Sequence, residues 1–431
     1  MTDPRPRRVL FVAINYAPEL SGTAPYTAGA AEYLASQGDD VQVLTGFPHY
    51  PNWSVPDESR RRLSRREWLA GVDVHRLRHF VPATQSAAKR AVYELTFAAH
   101  LIAHRHMADP DVVIAVVPNL VSAVAAVRIA RRSGAKMVVW LQDSMAAAAG
   151  QSGISGGQTV ARIVSAVERY VIRQADTVIV ISEVFRNLVE GTGASPDKVV
   201  LIRNWSHQTP PTANRASTRL RLGWREDEII AMHAGNMGLK QGLENVVEAG
   251  RLAMEQGKPV RFVLMGDGSQ RKQLQRLAAA ASNVEFLPPE PSGTYSDILG
   301  AADVLLINEA ETVFDMSLPS KLTSYLLAAR PVVAAVSSLG GTAHEVEQTR
   351  AGLVIESGRP DLLLQEVLAL GSDPLAATAR GSLGREYAER VLSSQGSLSG
   401  LSAVLNVRAW SPSHTTVGTS PQGGDGQATP R

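Results

Sequence analysis

Five segments of this 431-residue chain place glycine, lysine or carboxylate residues where they could contact a ligand, several of them at spacings that suit an anion. The first is NYAPELSGTAP, residues 15–25, which is long for a strand-to-helix connection. Gly22 and Thr23 precede a helical pattern there, where free N–H groups and the helix dipole favour negative charge. An N-cap in a surface loop accounts for the same residues. The second is HAGNMGLKQG, residues 233–242. Gly235, Gly238 and Gly242 free its backbone, and Asn236, Lys240 and Gln241 supply donors suited to a diphosphate. The third, MGDGSQRKQL from Met265, has Gly266 and Gly268 around Asp267, and serves a structural turn as well as it serves a ligand.

The fourth segment, SLPSKLTSYLLAARPVVAAV from Ser317, carries the sharpest signal. Ser320 and Lys321 fall at the start of a predicted helix. A cation at that end opposes the helix dipole, and an anionic ligand relieves the conflict. The fifth, WLQDSM from Trp140, places Asp143 just after a strand, as a group facing a cleft or as an N-cap. Metal chemistry has little support. Asp109-Pro110-Asp111 reads as a turn leading into a strand, and the ten histidines show no metal-ligand spacing.

The elements that must position these loops follow from alternating patterns. Short β-branched runs at 9–14, 41–44, 112–116, 137–140, 177–181 and 199–202 read as strands, with helical patterns between several of them. The polar segment 206–216, with Pro210 and Pro211, reads as a linker. The alternation resumes with strands at 229–233, 261–265, 284–287, 304–307 and 332–336. Helices fit at 243–256, 269–281, 295–301 and 322–329. Continuous apolar strands alternating with helices predict an α/β fold: two Rossmann-like domains, each a parallel sheet covered on both faces. Ligands in such sheets gather at the carboxyl ends of the strands.

Composition narrows the function classes. The apolar fraction is 44% and the formal net charge is +2, too mild for a nucleic-acid binder. The chain has no cysteine, so disulfides and thiolate metal sites are excluded. The longest apolar stretch, 112–127, is broken by Pro118 and Asn119 and falls short of a membrane span. Basic residues concentrate between Arg60 and Arg90, ahead of the apolar-rich AVYELTFAAHLIAH at 91–104. That pair reads as a contact with an anionic membrane surface, or as a solvated face beside an ordinary packed helix. A cytoplasmic protein at the inner face of the cell membrane is the expectation.

In their order along the chain these segments resemble the family-4 retaining glycosyltransferases of GT-B fold, most of all the bacterial polysaccharide enzymes of the WcaI/WbuB type. FPHYPNW, ADTVIVIS, VVLIRNW, NVEFLPP and AADVLLI extend the match from about Val9 to Val336. The resemblance implies two α/β domains across a cleft: residues 1–205 on the acceptor side, the linker 206–216, and a donor domain at 217–385. A C-terminal helix at 386–407 returns to the first domain, and the tail 408–431, poor in apolar residues, is expected to be disordered.

The resemblance also assigns roles. Gly22 and Thr23 approach the donor phosphates. Gly235, Asn236, Gly238, Lys240 and Gln241 grip the diphosphate, Asn236 and Gln241 standing where many members have an arginine and a lysine. Gly266, Pro288, Ser320, Lys321 and Ser324 complete the donor site, with Pro288 and Pro289 bordering the base. Tyr16 and His49 fall on the acceptor side. Asp143 follows Gln142, which replaces a histidine common in the wider family. The family's E-x7-E glutamates fall at Met316 and Ser324, neither acidic, and Glu309, Glu311 or Asp315 would have to serve instead.

The implied reaction moves a sugar from a nucleoside-diphosphate sugar to a saccharide or polyprenyl-linked acceptor in cell-surface polysaccharide synthesis. No cofactor or essential metal is expected. A sugar-nucleotide 2-epimerase of related fold and a degenerate, non-catalytic sugar-nucleotide-binding protein are the rival readings.

Overall fold

The computed structural model describes residues 5–19, 22–50, 53–59, 61–84, 86–143, 157–311 and 320–406. In its first domain the strands are β1 (Arg8–Val12), β2 (Asp40–Gly46), β3 (Ser64–Leu69), β4 (Val72–Leu77), β5 (Val112–Val117), β6 (Lys136–Leu141), β7 (Thr177–Val180) and β8 (Val199–Leu201). Between them run the helices α1 (Ala24–Ser36), α2 (Ala87–Ala103), α3 (Leu120–Ser133), α4 (Gly157–Gln174) and α5 (Glu183–Gly191). The strands lie in the order β3-β4-β2-β1-β5-β6-β7-β8, parallel except for β3 against β4.

Alternation along each strand feeds two cores. Leu10 and Val12 of β1 join Val113 and Phe97 on one face, under α2, α3 and α4. Val9 and Phe11 join Ala30, Leu34 and Ile114 on the other. The β3–β4 hairpin has no counterpart in the sequence reading. Its strand SRREWL is largely exposed and charge-rich, so no apolar run marks it. Arg65 and Arg76 pair with Glu67, and Arg66 pairs with Asp73, which takes up much of the charge in that basic stretch.

The second domain begins at α6 (Arg215–Leu222) and continues through β9 (Ile229–Ala234), α7 (Glu244–Glu255), β10 (Val260–Met265), α8 (Arg271–Leu277) and β11 (Val284–Leu287). Then come α9 (Ser292–Ala301), β12 (Val304–Asn308), α10 (Ser320–Leu327), β13 (Val332–Ala335), α11 (Gly341–Thr349), β14 (Gly352–Ile355) and α12 (Pro360–Gly371). Its six strands are all parallel, in the order β11-β10-β9-β12-β13-β14. Strand β14, GLVI, is half-buried throughout and has no counterpart in the sequence reading.

The chain leaves this domain late. Helix α13 (Pro374–Val391) contributes Ala388 to the second core, so residue 385 falls inside a helix that belongs there. The last described helix, α14 (Ser394–Asn406), sets Leu401 and Leu405 into the first domain's core beside Val9 and Trp205. Lys136 Nζ donates to the Val404 carbonyl at 2.7 Å, and Ser397 Oγ donates to the Arg203 carbonyl at 2.8 Å. Among the described residues no helix is long and apolar enough to cross a membrane.

Candidate active site between the two sheets

The carboxyl ends of β1, β5, β6 and β7 in the first sheet face those of β9 and β12 in the second. A cavity of about 730 Å³ lies between them, bounded by Asn15, Pro118, Gln142 and Ile181 on one side and Ala234, Asn236 and Ile307 on the other. Parallel sheets put their binding crevices in this position.

The second-domain wall is built around the turn after β9. Gly235 has φ +135°, and its N–H donates to the Met265 carbonyl at 2.8 Å. Close approach of the two loops requires glycine at 266: a Cβ there would lie 2.0 Å from the Gly235 oxygen. Asn308, at the end of β12, donates to the Gln241 and Gly242 carbonyls, both at 2.8 Å, and accepts from Asn245 at 2.7 Å. Tyr325 of α10 accepts from the Ala234 N–H at 2.7 Å and pins the end of β9. These buried contacts hold the Gly235 loop open toward the cavity.

Lys321 enters from the first turn of α10, its stem 3.8 Å from where a Gly235 Cβ would sit. Burial pushes its pKa down to about 8, and Glu309 opposes that shift. The lysine therefore stands half-desolvated at a helix N-terminus, a position that an anion would stabilise twice over. Glu309 lines the same cavity and accepts from Thr342 Oγ1 at 2.8 Å. Ser324 is buried in this wall beside Tyr295, whose pKa burial raises to about 12.

In the opposite wall Gly22 and Thr23 reach the cavity at the start of α1. Thr23 occupies the N-cap position without a side-chain cap bond, so the hydroxyl is not consumed by capping. Asp143 follows β6 and is exposed to the cavity. Gln142 beside it is 6% exposed and accepts from Asn204 Nδ2 at 2.7 Å. Gln142 Nε2 and Asn204 Oδ1 have no partner among the described residues. Buried polar atoms without partners cost stability, and in a cleft they mark where a ligand's hydroxyls fit. Arg90 borders the cavity from α2, over the Tyr93 ring at 5.0 Å and 3.0 Å from Glu94.

The structure thus brings together Gly22, Thr23 and Asp143 on one side. Gly235, Asn236, Lys240, Gln241, Lys321 and Ser324 stand on the other. It does not bring in every expected residue. Tyr16 and His49, expected on the acceptor side, are buried behind the cavity wall. Tyr16 is 1% exposed in the first core, and His49 bonds the Phe47 carbonyl at 2.8 Å and Tyr93 at 3.0 Å. Burial lowers the His49 pKa, so a neutral, supporting imidazole fits its surroundings. Gly266 lies behind the Gly235 loop, Gly238 braces against Gln241, and Pro288 is exposed outside the cavity lining. Met316 and Asp315 lie outside the described residues, and so does the tail from 407; the Ser320 side chain is likewise undescribed.

Sequence reasoning missed Asn308, Tyr325 and Glu19. Glu19 accepts from the His49 and Tyr50 N–H groups at 2.7 and 2.8 Å and from Asn15 at 2.8 Å, tying the first long loop to the next. An isolated carboxylate or amide at a strand end carries no spacing signal. Only the position of Asn308, a lone polar residue closing the apolar run VLLIN, hinted at its part.

Comparison with known proteins agrees with this geometry. Residues 21–205 match the glycosyl transferase 4-like domain, and residues 228–373 match the glycosyl transferases group 1 domain. The chain is 32% identical over 403 residues to the putative colanic acid biosynthesis glycosyl transferase WcaI of Escherichia coli K12, covering 89% of this chain and 96% of that one. Sucrose-phosphate synthase from Thermosynechococcus elongatus superposes with a TM-score of 0.72 at 17% identity, over 92% of this chain and 98% of that one. HepE from Anabaena, solved with UDP, gives 0.65 at 14% identity over 92% and 99%. Two Rossmann-like domains closing on one polar cleft are thus the GT-B fold, and this chain belongs to the glycosyltransferases.

Proposed function

We propose that this glycosyltransferase moves a sugar, with retention of configuration, from a nucleoside-diphosphate sugar to a lipid-linked saccharide in cell-surface polysaccharide synthesis. One observation carries the reading: Lys321, half-desolvated at a helix N-terminus, faces the Gly235 loop in a cleft where Gln142 Nε2 has no partner among the described residues. The likeness to WcaI supports the polysaccharide setting, and HepE's complex with UDP supports a nucleotide-bearing ligand.

Departure of the diphosphate breaks the bond from the anomeric carbon to phosphate oxygen and leaves negative charge on that oxygen. Lys321, Lys240 and the N–H groups after β9 would stabilise that charge most strongly in the transition state. We read the reaction as metal-independent because these groups supply the positive charge. The acceptor oxygen bonds to the anomeric carbon on the face the diphosphate leaves. Its proton passes to the departing phosphate oxygen or to Asp143, which borders the first-domain side of the cavity.

The test is thermal shift of the purified chain against UDP, GDP and dTDP sugars, followed by transfer to membrane-extracted acceptors and NMR of the new glycosidic linkage. Stabilisation by one donor and a product with the donor's anomeric configuration are expected. An inverted product overturns retention. Epimerisation without acceptor, or binding with neither transfer nor hydrolysis, overturns the whole reading.

A further inference from the structure

We propose that the outward face of α2, α3 and α4 is a docking surface for a bilayer rich in anionic lipid; the proposal rests on the reading of the acceptor as lipid-linked. These three helices cover one face of the first sheet, α2 packing on α3 and α3 on α4. Their inward residues make the core. Their outward residues form an unusual combination of aliphatic side chains and cations.

On α2, Val92, Leu95 and Ile102 are 45, 56 and 56% exposed. They stand three and seven residues apart, so they line a single stripe of the helix. On α4, Ile163 and Tyr170 are 60 and 40% exposed, again seven residues apart. Cations surround both stripes. Lys89 and Arg105 lie at the two ends of α2. Arg128, Arg131 and Arg132 are exposed on α3, and Arg162, Arg169 and Arg173 on α4. The acids of these three helices are Glu94 and Glu168, and both are buried. The face therefore presents positive charge with no exposed carboxylate of its own helices to offset it.

Charge and shape together select the occupant. A second copy of this chain, docked by a two-fold axis, would set arginine against arginine. Single-stranded nucleic acid is held by stacking on aromatic side chains, whereas most of the exposed apolar residues here are aliphatic. Aliphatic side chains among cations suit the boundary between acyl chains and anionic headgroups. The arginines of residues 61–66 are weaker candidates, because Arg65 and Arg66 are already ion-paired.

The surface is also continuous with the cleft. Lys89 and Val92 of α2 face outward, while Arg90 and Tyr93 of the same turn border the cavity. The first turn of α3 follows Pro118, another cavity residue. A headgroup-linked saccharide rising beside α2 would thus arrive between the two sheets without leaving the membrane.

Two variants of the full chain test the proposal. Arg128→Glu/Arg132→Glu/Arg169→Glu reverses charge, and Leu95→Ser/Ile102→Ser removes the aliphatic stripe; all five positions are outside the cleft. Co-sedimentation uses phosphatidylcholine vesicles and phosphatidylcholine–phosphatidylglycerol vesicles. The parent chain should bind the anionic vesicles more tightly, with affinity falling as salt rises. The charge-reversed variant should bind them more weakly by at least about a hundredfold, since each lost surface cation is worth about a fivefold factor and each glutamate adds repulsion. The serine variant should also lose affinity. Both should keep the parent's melting temperature and its stabilisation by sugar nucleotide.

Equal or absent binding of the parent to the two vesicle types overturns the surface, as does unchanged binding by either variant. A dimer in light scattering that the charge reversal splits assigns the face to a second copy and overturns it too. Sugar transfer to a water-soluble acceptor without vesicle binding defeats the surface alone. Vesicle binding without any transfer supports the surface and defeats the proposed reaction.

Discussion

Lys321 is the residue on which most of the chemistry converges. Its pKa is pushed down to about 8 by burial, so the charge needed for a diphosphate is lost as pH rises through that value. kcat/KM, which reports the free enzyme, should fall as pH passes about 8. Lys321→Arg, charged at all working pH, should flatten that fall; an unshifted profile would take the charge away from Lys321. Lys321→Ala should lower kcat by about 10²–10³-fold with the melting temperature kept, as for loss of a single oxyanion donor. Gln142 offers a second measurement. Its Nε2 has no described partner in the cleft, so Gln142→Leu should cost about tenfold in kcat/KM if that donor meets a sugar hydroxyl. Lys321 was legible in the sequence because a cation at a helix start conflicts with the dipole. Gln142's significance was not, because an unpartnered atom is a property of the folded neighbourhood.

The loop after β9 owes its form to elements on both sides. Asn308 of β12 satisfies two of its carbonyls, and Gly242 passes so close to Ala310 that a Cβ would lie 2.9 Å from its Cα. Asn308→Leu leaves those carbonyls unpaired and should cost about 2–4 kcal/mol of stability. It should also weaken donor binding, both readable from melts with and without sugar nucleotide. Unchanged donor affinity would show that the loop shapes itself. The strands that carry these loops were legible because buried parallel strands read as uninterrupted apolar runs, VVIAVV in β5 being one. The hairpin β3–β4 was not, since its exposed edge strand needs no apolar face. The glycines at 235, 238, 242 and 266 all stood out in sequence. Packing alone separates Gly235, which opens on the cavity, from Gly266, which only lets two turns touch.

Across the whole molecule the domains are joined by more than the linker. Arg203, at the end of the first domain, pairs with Glu345 of α11, and Tyr387 of α13 donates to the same carboxylate at 3.0 Å. Both charges are largely buried, at 10% and 2% side-chain exposure. Removing Arg203 leaves the buried Glu345 charge with only the Tyr387 hydroxyl, so Arg203→Ala should destabilise by about 3–5 kcal/mol. It should also loosen the angle between the domains. Calorimetry should resolve two transitions where the parent shows one; a single, unshifted transition would mean that the pair couples nothing. Helix α14 gives this junction a history in time. The first domain's core is sealed by Leu401 and Leu405, which a ribosome makes roughly 200 residues after β8 is finished. At synthesis rates of about 5–20 residues per second, the domain waits roughly 10–40 s with that bed uncovered. The second domain, whole within its own stretch of chain, can finish first. The half of the enzyme made earliest is then the last to close, and its exposed apolar groove is where a nascent chain would meet a chaperone.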